Sequence, residues 1–467
     1  MLRLTSATPL DTLWDSILPL GVQQLPEDLA GIDRLLADPR LLCPFATRWA
    51  ALHAGQAPAQ GRPTLPMDSY LRLMVIKHRY GWGYETLLQE VSDSLHLRRF
   101  CLISLLEGVP DESTVRKLTR RLGPDLVDEL IRGVFEKALR ERRFRPRAVR
   151  PDSTVAEADI RYPTDAGLCA DAVHYLVRSA RNVRVWIPAL EAKVRDRSRA
   201  VGKRLRALGR SLRRRTGEAK RAVQRFTEEA AAQVRATVRE TKRLLTAAGR
   251  ASARLRRAST PARERAIQRL DEVIVLADRV VEQIRQRFAN EKIQNRLVSF
   301  ADPEARPVRR GKLARPNEFG YVVQIAEVTE HTRRGARGLI LPPKLRAGST
   351  PENTLLPETI AELKRLDISL REAACDAGFL AADTQRDLAT VGAKVFITGT
   401  PYPASRRTRR RLARYRVGAE GRIAHLKREY GAGRSRLRGT TGARTWEGWA
   451  ILTYNLVSLA RKAAAKP

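Results

Sequence analysis

The chain has 467 residues, and its 88 Lys and Arg against 51 Asp and Glu give a formal net charge of +37, with an isoelectric point near 11.1. The length excludes a minimal scaffold and provides for two or three domains with sizeable cores. The charge exceeds what solubility requires and calls for a polyanionic partner, nucleic acid ahead of an anionic membrane surface. No uninterrupted apolar run is long enough to span a bilayer, and MLRLTSATPLDTLWDSILPLG lacks a basic stretch, apolar core and cleavage site. A soluble, cytoplasmic protein with no membrane partner is predicted. Cys43, Cys101, Cys169 and Cys375 are scattered without Cys-x-x-Cys or Cys/His pairing, which speaks against zinc or disulfides and predicts small buried hydrophobes.

Residues 1–60 alternate apolar stretches with Pro and Gly and give a weak helical signal that assigns them no role. Residues 61–145 sharpen into short amphipathic segments, PMDSYLRLMVIKHRYG, YETLLQEVSDS, LHLRRFCLISLL and VRKLTRRLG. The last follows Asp111 and Ser113, either of which can accept hydrogen bonds from first-turn amides. Its Arg116, Lys117, Arg120 and Arg121 suit a helix-turn-helix-like module that contacts DNA.

Residues 191–290 change character. They hold 28 Lys and Arg against 11 Asp and Glu, so they contribute 28 − 11 = +17. Apolar residues recur at heptad-like spacing, Val201, Leu205, Leu208 and Leu212, then Ile267, Leu270, Ile274, Val281 and Ile284. A long helical insertion, coiled-coil-like or a hairpin broken near Gly249 and Pro261, is expected. A charged surface around an ordinary seam explains the period, and the sign imbalance adds phosphate contact or dimerisation.

Strand-like segments flank this block: RAVRPDSTVAEADI before it, then FGYVVQIAEVTE, RGLILPP, LREAACDAG and AKVFITG after it. Helical segments TPENTLLPETIAELKRL and LAADTQRDLATVG separate the last three strands, and two helices follow. Three strands, helix, strand, helix, strand and helices is the order of an RNase H-like mixed sheet with flanking helices, here an α/β fold assembled from residues 146–190 and 291–467.

Three carboxylates stand out. Asp152 lies within the first strand and Asp376 ends the run Ala373, Ala374, Cys375, so both fall where open α/β sheets bind ligands. Glu420 sits in ARYRVGAEGRIAHLKREYG with Arg416 four residues before it and Lys427 seven after, on one helix face. Such spacing also makes solvated salt-bridge faces. Taken with the two aspartates, however, Glu420 completes a set suited to two magnesium ions and phosphoryl transfer.

Four segments, RPDSTVAEADIRYPTDAGL, ARPNEFGYVVQIAE, ACDAGF and EGRIAHLKREYGAGRSRLRG, resemble the DDE transposases of bacterial insertion sequences, in the IS-five-like group with an RNase H-like catalytic domain. The resemblance implies that Asp152, Asp376 and Glu420 are the catalytic metal-binding triad for Mg2+, with Mn2+ substituting, and that Arg416 and Lys427 contact DNA phosphates. Its members cut double-stranded DNA at terminal inverted repeats and join the freed 3′ ends to a target, acting as homodimers or larger synaptic assemblies near the nucleoid. The family's tyrosine three residues before the arginine is Ala413 here, with Tyr415 adjacent instead. Arg310 and Lys312 are further candidates for holding DNA. An inactive DNA-binding relic and a general RNase H-like nuclease are the alternative readings.

Overall fold

The computed structural model describes residues 1–6, 17–55, 63–211, 216–254, 261–309 and 317–464. The chain divides into two compact units, residues 1–159 with 320–467 and residues 160–319. The first carries a mixed sheet. β1 (Ala148–Ala158) runs antiparallel to β3 (Asn317–Thr329), from Ala148 opposite Thr329 to Glu157 opposite Gly320; β2 (Arg306–Arg309) is a short strand of the second unit. β4 (Leu339–Ile340) and β5 (Lys344–Ala347) pair antiparallel with β3. On the other side β6 (Glu372–Cys375) is parallel to β1, and β7 (Lys394–Ile397) parallel to β6. β8 (Arg434–Ser435) joins the end of β1. Antiparallel strands on one side of β1 and the parallel β6 and β7 on the other form one mixed sheet with flanking helices, in the order the segments predict.

β1 is buried at nearly every position, as a central strand covered on both faces must be. Inside that apolar frame lies an ion cluster. Arg150 donates from Nε and Nη2 to Glu327 Oε2 at 2.8 and 2.6 Å, and Arg422 donates from Nε to Glu327 Oε1 at 3.0 Å. The Gly338 amide adds a bond of 2.8 Å to the same carboxylate. Arg150 Nη1 donates to the Tyr415 carbonyl at 2.7 Å and Nη2 to the Ala336 carbonyl at 2.9 Å. Glu327 is thus satisfied from β1, from the Arg406–Glu429 helix and from the loop before β4, which is what lets so deep a charge persist. The helix passes Arg150 at Gly418, where a β-carbon would overlap the guanidinium.

The N-terminal helices belong to the same unit. Glu27–Leu36, Met67–Tyr80 and Glu112–Arg140 pack on the C-terminal helix Gly439–Ala464. Asp111 supplies the cap, its side chain accepting from the Ser113 amide at 2.7 Å. The first helical stretch ends at Gly123, where the sequence suggested a stop, and a second follows across a kink. Gly123 takes φ 70° and the chain kinks at Pro124 and continues to Arg140, because Leu126, Leu130, Ile131 and Val134 offer a further buried face. Trp449 and Tyr454 lie buried in the last helix, and the Tyr454 hydroxyl donates to the Gly338 carbonyl at 3.1 Å. Cys43 departs from expectation: it is exposed at the start of the Cys43–Leu52 helix, while Cys101, Cys169 and Cys375 are buried.

The second unit is helical. Asp165–Trp186, Ser198–Ser211, Gly217–Arg254 and Pro261–Phe288 share one core. Val201, Leu208, Leu270, Ile274 and Ile284 of the predicted seams lie in it, with Leu205, Ile267 and Val281 at its margin; Leu212 falls outside the described residues. The seams therefore meet a further helix, Asp165–Trp186, rather than only each other, and Gly249 lies within a continuous helix instead of breaking it. Among the described residues no helix is long and apolar enough to cross a membrane.

Two stability predictions follow from the buried acids. Glu327→Gln leaves two arginines without their counter-charge and should cost about 3–5 kcal/mol, read as a fall in the denaturant midpoint; an unchanged midpoint would refute the anchoring role. Glu447 is fully buried with neither oxygen bonded among the described residues, and burial raises its pKa to about 8. Since its folded pKa exceeds the unfolded value, it withdraws stability progressively as pH rises from the ordinary glutamate value of 4.5 towards 8. Glu447→Gln should flatten that decline in a Tm-against-pH series.

Candidate active site on the sheet edge

The buried face of the Arg406–Glu429 helix consists of Leu412, Tyr415, Ala419, Arg422 and Leu426, a spacing of three and four residues that lays the helix along the sheet. Its amino end is capped by Ser405, whose Oγ accepts from the Thr408 amide at 3.2 Å. Arg416 and Glu420 occupy the neighbouring stripe, one residue on from Tyr415 and Ala419, and so stand beside the sheet rather than beneath the helix. Tyr415 itself is core: its hydroxyl bonds Thr329 Oγ1 at 2.7 Å and its ring lies 4.8 Å from the Arg150 guanidinium carbon. Ala413 packs at the edge of the cluster formed by Ala148, Ala374, Phe396 and Leu412.

Register explains how the two aspartates come together. β1 and β6 pair in parallel with Val149 opposite Ala373, so three residues further on Asp152 lies alongside Asp376. Asp152 is on the strand and nearly buried, its Oδ1 accepting from the Ser153 amide at 2.8 Å. Asp376 is just past the end of β6, where its Oδ1 accepts from the Ala377 amide at 2.8 Å. Under both sits Cys375, a packing residue whose thiol burial pushes up to about 12.

Arg416 ties the three acids into one cluster. Its Nη2 lies 2.8 Å from Asp376 Oδ2 and 3.8 Å from Asp152 Oδ2, and its Nη1 lies 2.8 Å from Glu420 Oε1. The side chains grade from interior to solvent, Asp152 at 9% exposed, Asp376 at 37% and Glu420 at 63%. Burial raises the Asp152 pKa; Arg416 opposes the rise, while Asp376 and Glu420 add to it by like-charge repulsion. The guanidinium thus stands where a cation is wanted. Three carboxylates offer hard oxygen donors of the kind that hold magnesium. With the arginine among them they do not form a ready metal cage, and among the described residues no other group of three His, Cys, Asp or Glu side chains does.

The remaining predicted residues are placed as follows. Lys427 does not join the carboxylates: it reaches the strand, donating to the Val155 carbonyl at 2.8 Å. Lys117, Arg120 and Arg121 are exposed on one helix face, three and four residues apart. Arg121 also lies 4.6 Å over the Trp49 ring and bonds His53. Arg116 is half-buried and paired with Glu112. Arg310 and Lys312 lie outside the described residues. Sequence reading passed over the run Arg406 to Arg411, RRTRRR, although its density was visible. With Arg333, Arg334 and Arg414 it lines a cavity of about 600 Å³. It also passed over Glu327, whose partners Arg150 and Arg422 come from far along the chain.

Residues 25–121 match the family model described as "Transposase domain (DUF772)". The match takes in the helices Glu27–Leu36 and Cys43–Leu52, to which the sequence alone gave no role. Over 126 residues the chain is 29% identical to "Uncharacterized protein ORF8 in nfe locus" of Rhizobium meliloti, covering 26% of this chain and 61% of that protein. It thus spans less than two thirds of the length of that curated relative. No solved structure matches. The helical part of the first unit thus resembles a transposase domain over residues 25–121.

Proposed function

We propose that the chain is a magnesium-dependent DDE transposase of the IS-five-like group. In this reading it binds the terminal inverted repeats of an insertion sequence, cleaves the DNA there by phosphoryl transfer and joins the 3′ hydroxyl ends to target DNA. One observation carries the reading: in a chain that resembles a transposase domain over residues 25–121, Asp152, Asp376 and Glu420 arrive from a strand, a strand end and a helix to meet a single guanidinium.

Asp152, Asp376 and Glu420 would hold the magnesium, which would neutralise phosphate charge and activate the attacking oxygen. Every other task belongs to the protein. Arg416 keeps three mutually repelling carboxylates together in the free enzyme. Swung off them towards a phosphodiester, the same guanidinium would supply bidentate hydrogen bonds to its oxygens. Its Nε is buried and without a partner among the described residues, so its present pose leaves one donor unused. Asp152, fixed by the Ser153 amide on a rigid strand, sets the position of the set; Glu420, on the solvent side, is the carboxylate free to adjust to DNA.

Asp152→Asn or Asp376→Asn should lower strand joining by about 10³-fold or more, given the several kcal/mol that metal-borne charge stabilisation supplies, while gel-shift binding of element ends persists. Joining at the wild-type rate in either variant would end this assignment. The metal can be read without turnover. Magnesium should raise Tm in the wild type and raise it further in Arg416→Gln, where no guanidinium competes, and Asp152→Asn should abolish the rise. A Tm indifferent to magnesium in all three proteins would contradict the proposed ligand set.

A further inference from the structure

A second site lies within the same unit, between the Met67–Tyr80 helix, the end of β1 and the turn that leads into the C-terminal helix. There a cavity of about 410 Å³ is lined by Lys77, Trp82, Lys427, Arg434, Arg436 and Trp446, with Tyr430 and Glu157 at its wall. Lys77 is only 2% exposed, yet it makes no ion pair or hydrogen bond among the described residues. Its ammonium lies 4.1 Å from the Trp446 ring centre and 4.8 Å from that of Tyr84. Burial pushes its pKa down to about 7, and the Arg436 charge acts in the same direction. Arg436 likewise has no acidic partner among the described residues. Arg434 is already paired, with Glu157 at 3.2 Å and Asp159 at 3.7 Å. Two cations that repel one another across a cavity, one of them almost wholly desolvated, leave a place for an anion.

The lining narrows the anion further. An inorganic phosphate has no use for three aromatic walls, and an apolar ligand none for the cations. A nucleotide uses both, with its phosphate between ammonium and guanidinium and its base against an aromatic ring. Trp82 lines the cavity and stacks on Tyr80 with ring centres 4.6 Å apart, which holds the indole rigid. The volume lies within the range of small-molecule sites, and a paired duplex is too wide to enter it. Glu157 at the wall is five residues along β1 from Asp152, roughly 17 Å at the rise of a strand, or about five base pairs of DNA.

We propose that this cavity holds an unpaired nucleotide of the DNA strand being processed, with its phosphate on Lys77 and Arg436 and its base against Trp82. The inference rests on the DNA-processing role proposed above and assigns it a strand-end subsite. It costs the DNA the unstacking of one base, and the stacking and charge pairing in the cavity offset that cost.

The test compares full-length wild type with Arg436→Gln, Trp82→Ala and Lys77→Met by fluorescence anisotropy. The probes are a blunt duplex, the same duplex with a short unpaired tail, and free dAMP. The wild type should prefer the tailed duplex by about tenfold, the worth of one stacked base with its phosphate, and each variant should lose most of that preference while holding the blunt duplex as before. Arg436 is exposed, so its variant reports on binding even if Lys77→Met fails to fold. A wild type without tail preference, a preference that survives Arg436→Gln and Trp82→Ala, or capture of dAMP in its place would overturn the proposal. Failure to bind the blunt duplex at all would instead undo the DNA-processing role itself.

Discussion

The constraint on which the rest depends is the burial of Glu327. Its side chain is 1% exposed and meets Arg150 and Arg422, themselves 3% and 8% exposed. An isolated carboxylate at that depth would cost far more than a domain's net stability, so it persists only because four donors from three segments meet it. The consequence is geometric. Arg422 lies on the buried face of the same helix that carries Arg416 and Glu420, and Arg150 lies two residues before Asp152. One ion cluster therefore fixes both the axial position of the helix and the strand beside it, and the candidate site inherits that register. Gly418 is part of the same arrangement, since only a residue without a β-carbon lets the helix pass the guanidinium of Arg150.

Electrostatics in the site run opposite to those in the core. Around Glu327 two cations serve one anion in the dry interior; around Arg416 one cation serves three anions at the sheet edge. The first is closed and fully satisfied. The second carries an excess of negative charge, partly open to solvent, and it is the kind of imbalance that structural ion pairs do not need. The rise in the Asp152 pKa records that imbalance, caused first by burial and then increased by its acidic neighbours. The fold thus separates a cluster that holds position from one that carries an excess of negative charge at the sheet edge.

Much of this was legible before the structure. The alternation of β-branched segments with Gly and Pro marked β1, β3, β6 and β7, and the order of strands and helices fixed the mixed sheet. The spacing of Arg416 and Glu420 gave their shared face. Other features were hidden for physical reasons. Short strands such as β5 and β8 contain too few residues to show a period. The helix beyond Gly123 was masked by a Gly-Pro pair that normally ends helices, but here Leu126, Leu130 and Val134 restart the buried stripe. Lys427 shares the helix of Arg416, yet seven residues from Glu420 is almost two turns, enough to carry it past the acids to the Val155 carbonyl. Pairing across long separations, as between Arg150 and Glu327, leaves no local pattern at all.

The net charge of +37 was visible at once, but not how it is divided. Part of the basic excess is consumed internally: Arg150 and Arg422 on Glu327, and Arg132 and Lys344 on Glu362, whose hydrogen bonds overcome burial and lower its pKa to about 2. These cations are structural and exert little field outside. The remainder is concentrated where acids are scarce. Of the seven arginines around the start of the Arg406–Glu429 helix, Arg411 is held by Glu372, and no carboxylate is paired with the other six among the described residues. Such a cluster repels itself in the free protein and is relieved by a polyanion, with release of the counterions condensed on it. Because the same helix then carries Arg416 to the acids and Lys427 to the end of β1, the unpaired charge begins at one end of the sheet and leads along it to the candidate site.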